Sequence, residues 1–400
     1  MSRSAAVLVS FFSLLLISLL LLLPNPPSAS ANPGFARKFG FSCVMCHAGF
    51  PKLNPFGEAF AKNGYQMPGG DVTTQSQSFG DSNLSLEKNL NLAVRVDSYL
   101  RYRADTSVHS DIESPFLVKL FIIGYLAKDI TFYSYFLAGE GGEVVGMEDA
   151  FLYLSHLGGT DSYLQIGQFQ VMDPVYSREQ RLTFQDIEIY VTHVSKSNFE
   201  LTYQRGATLS YGYGPVDFVL GAVNGNGIGR QDQNGNFDNN SPKDIFGRLG
   251  FSAGPVTAGL FGYLGREREE TTRLDNTITR YGPDLRIRNW IKGLDLRSQW
   301  LFGREANPDF LVPAERARLS GGFVELDYHF NSDWTGILLY NDVSSKDRAA
   351  VGKRLGTVNL THYFRRNMKA FLEYTHDFKK VSDAHPEKTD TALLGLVFAF

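Results

Sequence analysis

The sequence predicts an all-β fold, an antiparallel barrel of about 16 strands behind a small N-terminal helical segment. Three observations predict it. Apolar and polar residues alternate with period two through the region 87–400. Short turns and long polar connections follow one another between the alternating stretches. Beyond the first residues, no apolar run is long enough to cross a bilayer as a helix, so a membrane-spanning chain must use strands.

The chain opens on Met1-Ser2-Arg3, continues as an apolar run from Ala5 to Leu23, and then reads Pro24-Asn25-Pro26-Pro27 and Ala29-Ser30-Ala31. A basic start, an apolar core and a small-x-small site make residues 1–31 a secretory signal peptide, cut after Ala31. The competing reading is a membrane anchor, because the run approaches the roughly 20 residues that span a bilayer. Both readings export the remainder. Losing Arg3 takes the formal net charge from −3 down by one, and such a nearly neutral chain has no basic field to favour nucleic acid.

Asn89 to Arg103 is the first alternating stretch. Leu90, Leu92, Val94, Val96, Leu100 and Tyr102 share one face, and Asn91, Arg95, Asp97, Arg101 and Arg103 share the other. Val324, Leu326, Tyr328 and Phe330 repeat the pattern against Glu325, Asp327 and His329. So do Met368, Ala370, Leu372 and Tyr374 against Lys369, Glu373, Thr375 and Asp377.

A soluble sandwich also alternates, so the connections decide. Short turns fall at 127–129, 158–160, 212–215, 253–255, 292–293, 331–333 and 365–367. Longer polar connections fall at 104–114, 139–146, 172–198, 224–242, 265–282, 304–318, 343–352 and 378–389. This parity predicts an even strand number with both ends on the short-turn side, as in transmembrane barrels with short periplasmic turns, long outer loops and polar interiors. The stretch from Leu182 to Asn198 reads equally as a strand, a loop or a plug. At the end, Ala392, Leu394, Leu396, Phe398 and Phe400 share one face, and a terminal aromatic on an amphipathic strand suits an outer-membrane protein. The expected location is therefore the outer membrane, in contact with its lipid, with both termini periplasmic.

Residues 32–86 do not alternate. Asn54 to Gly64 reads as a short helix with Asn54 as N-cap, Pro55 at its first position, Gly64 at its end, and Phe56 and Phe60 on one stripe. So small a segment buries little core alone. The chain's only two cysteines lie here, in Cys43-Val44-Met45-Cys46-His47. One pair is no disulfide framework. The C-x-x-C-H spacing is that of covalent haem c attachment, with Cys43 and Cys46 adding to the porphyrin vinyl groups and His47 aimed at the iron. A structural zinc site needs four ligands where three are at hand; a thioredoxin-like pair needs a strand–helix unit that is missing; a plain disulfide has no use for His47. Met67, 20 residues beyond His47, is the expected distal iron ligand, against the reading that it only packs. His109, His156, His193, His329, His362 and His376 read as lumen or surface residues. Arg37, Lys38 and Lys52 are the cations available to haem propionates.

The stretches Phe35-Ala36-Arg37-Lys38-Phe39-Gly40, Phe50-Pro51 with Leu53-Asn54-Pro55-Phe56-Gly57, and Asn63-Gly64-Tyr65 around the attachment motif resemble the fused monohaem cytochrome–porins of iron-oxidising bacteria. The N-terminal motif is the specific part of the resemblance, and the barrel matches in architecture. The resemblance implies a signal peptide (1–31), a monohaem cytochrome c segment (32–86) plugging the lumen, and a porin-like barrel (87–400). It further implies that a single haem c takes electrons from extracellular Fe(II) and passes them to a periplasmic c-type cytochrome. Acidic residues in the expected outer loops, namely Asp111, Glu113, Glu140, Glu143, Glu267, Glu269 and Glu270, suit attraction of a cation or plain solvation. The alternative functions are a porin gated by its haem segment and an outward conduit reducing an extracellular acceptor. No nucleophile–base constellation or phosphate loop points to catalysis on an organic substrate.

Overall fold

A computed structural model describes residues 34–67, 76–77, 80–81, 84, 86–87, 91–104, 107–231, 234–379 and 390–400. The signal peptide and most of the last long connection lie outside the described residues.

The N-terminal segment is three short helices, α1 (Gly34–Phe39), α2 (Cys43–Cys46) and α3 (Pro55–Lys62), with a two-residue ladder pairing His47–Gly49 with Lys52–Leu53. Helix α3 begins where the residue types require. The Asn54 side chain accepts a hydrogen bond from Gly57 N at 2.9 Å, Pro55 follows it, and Gly64 turns out of the helix at φ 66°.

Sixteen strands among the described residues close into one antiparallel barrel. They are β1 (Asn91–Arg103), β2 (Ser110–Ala127), β3 (Ile130–Glu140), β4 (Gly146–Ser155), β5 (Ser162–Gln170), β6 (Tyr203–Tyr213), β7 (Val216–Val223) and β8 (Asp244–Ala253). The second half is β9 (Val256–Arg268), β10 (Asp275–Ile291), β11 (Leu294–Glu305), β12 (Ala317–His329), β13 (Trp334–Ser345), β14 (Lys353–Arg365), β15 (Met368–Asp377) and β16 (Thr391–Ala399). β16 pairs with β1 from Thr391 opposite Arg103 to Ala399 opposite Arg95, which leaves no free edge. Closure of this kind satisfies every strand's backbone groups in lipid. Arg95 to Tyr99 run inward on alternate residues while Leu92 and Leu100 face out, as the period-two pattern predicts.

All seven expected short turns join neighbouring strands. Some strands run further than their polarity suggests: β2 already includes Asp111 and Glu113, and β9 reaches past Glu267. These acids therefore sit on strands rather than in loops. Glu113 is bound by Arg101 and Arg103, and Glu267 accepts from Ser197 and Asn198.

The interior carries the expected polar residues and, with them, an apolar cluster. Residues 171–202, between β5 and β6, fold inward and carry a 3-10 turn at Arg178–Gln180 and one α-helical turn, α4 (Glu188–Val191). Val171, Met172, Tyr176, Ile187, Ile189, Tyr190 and Val194 pack there against inward-facing Phe246, Phe261, Ile278, Leu301, Phe323 and Leu339. An apolar cluster thus fills part of the lumen, and buried charged residues lie both on the β1–β4 and β15–β16 side and, as Arg248, Asp284, Arg280, Glu305 and Glu325, on the wall beside the cluster. The stretch 182–198 that the sequence left unassigned is this inner loop. It is tied across the lumen by Tyr176 to Glu325 (2.8 Å), the Phe184 and Gln185 backbones to Glu373 (2.7 and 2.8 Å), and Glu188 N to Asn341 (3.1 Å).

Candidate haem-attachment site

The N-terminal segment fills the barrel near its short turns. Lys52 Nζ reaches Asp295 and Asp327 on β11 and β12 at 2.7 and 2.6 Å. Glu58 pairs with Arg286 and Arg288 of β10. The Gln66 side chain bonds Thr131 at 3.1 Å and the Asp129 amide at 3.2 Å. Tyr65 stacks on Tyr133, centroids 5.2 Å apart. A helix too small to stand alone is stable here because the barrel wall supplies its missing partners.

Cys43, Cys46 and His47 line one mostly apolar cavity of about 250 Å³, enclosed on three sides by different parts of the chain. The segment itself contributes Phe41, Phe60 and Tyr65, the wall contributes Phe121, Tyr133 and Phe151, and the inner loop closes it with Asp173, Ser177, Glu179 and Gln180. Helix α2 carries both cysteines on one turn, as unbridged thiols. Asn54 holds that turn from below, its Nδ2 donating to the Val44 and Met45 carbonyls at 3.1 and 3.0 Å. Gly57 lets α3 approach it, since a Cβ there would stand 2.1 Å from the Cys46 carbonyl oxygen.

His47 Nδ1 lies 3.0 Å from the Pro51 carbonyl oxygen. A carbonyl only accepts, so Nδ1 carries the proton and Nε2 keeps its lone pair for a metal. Burial pushes the imidazole below its ordinary value, against hydrogen bonding to the Pro51 and Lys52 backbones, which favours the neutral, ligating form. Burial likewise raises both thiols. These residues fit a haem c: two thiols on one turn, a neutral imidazole beside them, and an aromatic cavity in front.

The other expected site residues fall elsewhere. Met67 follows Gln66 at the β2–β3 turn and does not line the cavity. His109, His156, His193 and His376 bond Arg103 O, Asp129, Glu200 and Asp390; His329 bonds Thr335, and His362 stacks on Trp334. Of the cations proposed for propionates, Arg37 donates to the Leu92 carbonyl, Lys38 lies 3.7 Å from the Tyr125 ring, and Lys52 is spent on Asp295 and Asp327. The charged residues that do reach the cavity are Arg95, Asp149, Asp173 and Glu179. Of these, sequence reasoning placed only Arg95 on the lumen face. The inner-loop acids carried no periodic signal to find them by.

No protein-family model and no curated protein matches the chain. Solved structures do match its barrel. The outer membrane channel DcaP of Acinetobacter baumannii is 12% identical with a TM-score of 0.57, covering 78% of this chain and 97% of that one. The anion-selective porin from Comamonas acidovorans is 11% identical with a TM-score of 0.56, covering 78% and 99%. Salmonella typhi OmpF, in its complex with daunomycin, is 12% identical with a TM-score of 0.54, covering 78% and 97%. At such identities the likeness is one of fold: this chain has the closed barrel of outer-membrane porins.

Proposed function

We propose that the chain is an outer-membrane electron-transfer protein, a porin-type barrel whose N-terminal segment carries one haem c within the lumen. A single observation carries this reading. Both thiols and the Nε2-free imidazole of C-x-x-C-H line the same apolar cavity, and that cavity lies inside the barrel. A pore gains nothing from that arrangement, whereas a covalent cofactor supplies the apolar centre that the small segment lacks. The bound haem supplies one-electron chemistry. The chain's own residues hold it, exclude water from it, and keep His47 neutral and oriented.

In this reading Fe(II) outside the cell is the donor and a periplasmic c-type cytochrome the acceptor. The cavity's position near the short turns suits the second step, because short turns face the periplasm in barrels of this kind. Among the acids first considered for the outer surface, Asp111, Glu143 and Glu270 are the exposed ones, and they are free to attract a cation.

The test is stopped-flow absorbance of the oxidised, detergent-solubilised protein mixed with Fe(II) near neutral pH. Reduced c-type bands are the expected result. A c-type spectrum reduced by dithionite but not by Fe(II) would remove iron as donor and favour an outward conduit. No haem spectrum, from cells that mature c-type cytochromes, would overturn the reading.

The second reading, a porin with a gating plug, is favoured by the barrel's likeness to channels and by a charged chamber left between the wall and the inner loop. Free passage of small solutes into vesicles containing the haem-loaded protein would support it against the first.

A further inference from the structure

Beside the haem-attachment cavity lies a second one of about 370 Å³, between the inner loop and a wall formed by β1–β4, β6, β15 and β16. Arg95 and Glu179 line both, so the two are neighbours across one shared wall. Lys369 points into this chamber from β15. It is 2% exposed, and its ammonium has no hydrogen bond or ion pair among the described residues beyond a distant approach to the Phe371 ring, 5.5 Å from the centroid.

The carboxylates around Lys369 are engaged, apart from Glu140 at the end of β3, which also lines the chamber. Asp97 accepts from Arg95 Nε at 2.8 Å and Nη2 at 2.6 Å, and from the Tyr99 hydroxyl at 3.0 Å. Glu373 accepts from two inner-loop amides and from Asn359 at 2.9 Å. Asp186 is shared between Arg178 and Arg181. Glu179 holds Lys119 at 2.6 Å, with Glu148 4.0 Å from the same ammonium. A buried ammonium without an anion is costly, and the chamber has room for one.

We propose that Lys369, in the second cavity, with Arg95 on the wall that the two cavities share, is a carboxylate-binding position, and that a propionate of the covalently attached haem fills it. This rests on the haem reading above. Propionates are the carboxylates that a haem in the neighbouring cavity brings with it. The cations that the sequence suggested for them, Arg37, Lys38 and Lys52, are occupied elsewhere. An ammonium at this place disfavours the added positive charge of ferric iron, so Lys369 acts as a positioning residue that holds the midpoint potential up.

The experiment is the haem midpoint potential measured against pH in wild type, Lys369→Met and Lys369→Arg. Lys369→Met should lower the potential and move to higher pH the range over which it falls, because the propionate loses its cation; Lys369→Arg should restore both. Should Lys369→Met lose the heat-modifiable migration of a folded barrel, Lys369→Gln takes its place. A pyridine haemochrome assay on each sample separates the two levels: a wild type without covalent haem overturns the function proposed above. The position itself is then read by calorimetric titration of acetate into haem-free protein. An acetate site that vanishes in Lys369→Met supports carboxylate binding with solvent as the source. Potentials and pH profiles identical in wild type and Lys369→Met, with no acetate binding to haem-free protein, would overturn the proposal.

Discussion

Lys52 Nζ stands 2.6 Å from Asp327 Oδ2, with both side chains 1% exposed, and these two residues lie 275 positions apart in the sequence. Asp295 accepts from the same ammonium at 2.7 Å. One lysine of the N-terminal segment thus bridges two lumen carboxylates of the barrel. Removing one partner of a buried pair costs about 3–5 kcal/mol, since the remaining charge is left uncompensated. Lys52→Met should therefore release the segment without unfolding the barrel. Planar-bilayer recordings should show larger conductance than wild type, with heat-modifiable migration retained. Unchanged conductance would mean that the pair does not hold the plug.

Asn54 has two separable tasks. Its Oδ1 caps α3, and its Nδ2 holds the turn that carries the cysteines. Asn54→Ala should cost the cap, about 1 kcal/mol, and loosen the turn as well. Asn54→Asp keeps the cap oxygen and replaces the donors with a carboxylate oxygen facing the two carbonyls. If the donors position the thiols, both variants should lower the yield of covalent haem, measured per mole of barrel. Full yield from Asn54→Asp would assign the residue to capping alone.

Gly57→Ala tests the close approach of α3 to the cysteine turn. The added methyl would meet the Cys46 carbonyl at 2.1 Å, and backbone cannot step aside as a flexible side chain can. Covalent haem should fall to a small fraction of wild type. Normal loading would show that the two elements separate at little cost.

The inner loop should dock in a pH-dependent way. Burial alone would raise the Glu179 carboxyl, but Lys119 and Arg95 pull it down to about 2 from 4.5. Its stabilisation is full above 4.5 and is lost as pH falls toward about 2. Asp173 is the opposite case. Burial, only partly offset by a hydrogen bond with Ser177, pushes it up to about 7 from 3.8. Its stabilisation is full below 3.8 and is lost as pH rises through about 7. Together the two place the firmest docking at about pH 4. Hydrogen-exchange protection of residues 171–202, corrected for intrinsic rates, should peak there. Asp173→Asn should flatten the alkaline side and Glu179→Gln the acid side; a flat wild-type profile would contradict both assignments.

Much of this architecture was legible. Alternation in Asn91–Arg103 marked which residues face inward, because a strand's side chains have a period of two whatever surrounds them. Turn residues such as Gly254 and Gly293 marked the short connections, since both sit at positive φ, at 58° and 85°. The α3 helix was legible from Asn54 and Pro55, whose roles are local. The inner loop was not. Its residues, from Val171 to Thr202, follow neither period, and what makes them pack is a set of wall residues on β8–β13 chosen by closure of the barrel. Strand ends such as Asp111 and Glu267 misled for a related reason. Polar residues read as loop, yet cross-strand pairing carries them beyond the apolar band.

By itself, then, the sequence determined what depends on neighbours along the chain: the strand pattern, the parity of turns and loops, the capped helix, and the two thiols with their adjacent imidazole. Only the tertiary structure decided what depends on residues hundreds of positions away. It put Lys52 on Asp327, folded 171–202 into the lumen, and left Lys369 buried in the neighbouring chamber with no carboxylate bound to it among the described residues. Closing the barrel brings these groups within a few ångströms, where charge and burial act strongly, and no period along the chain records that meeting.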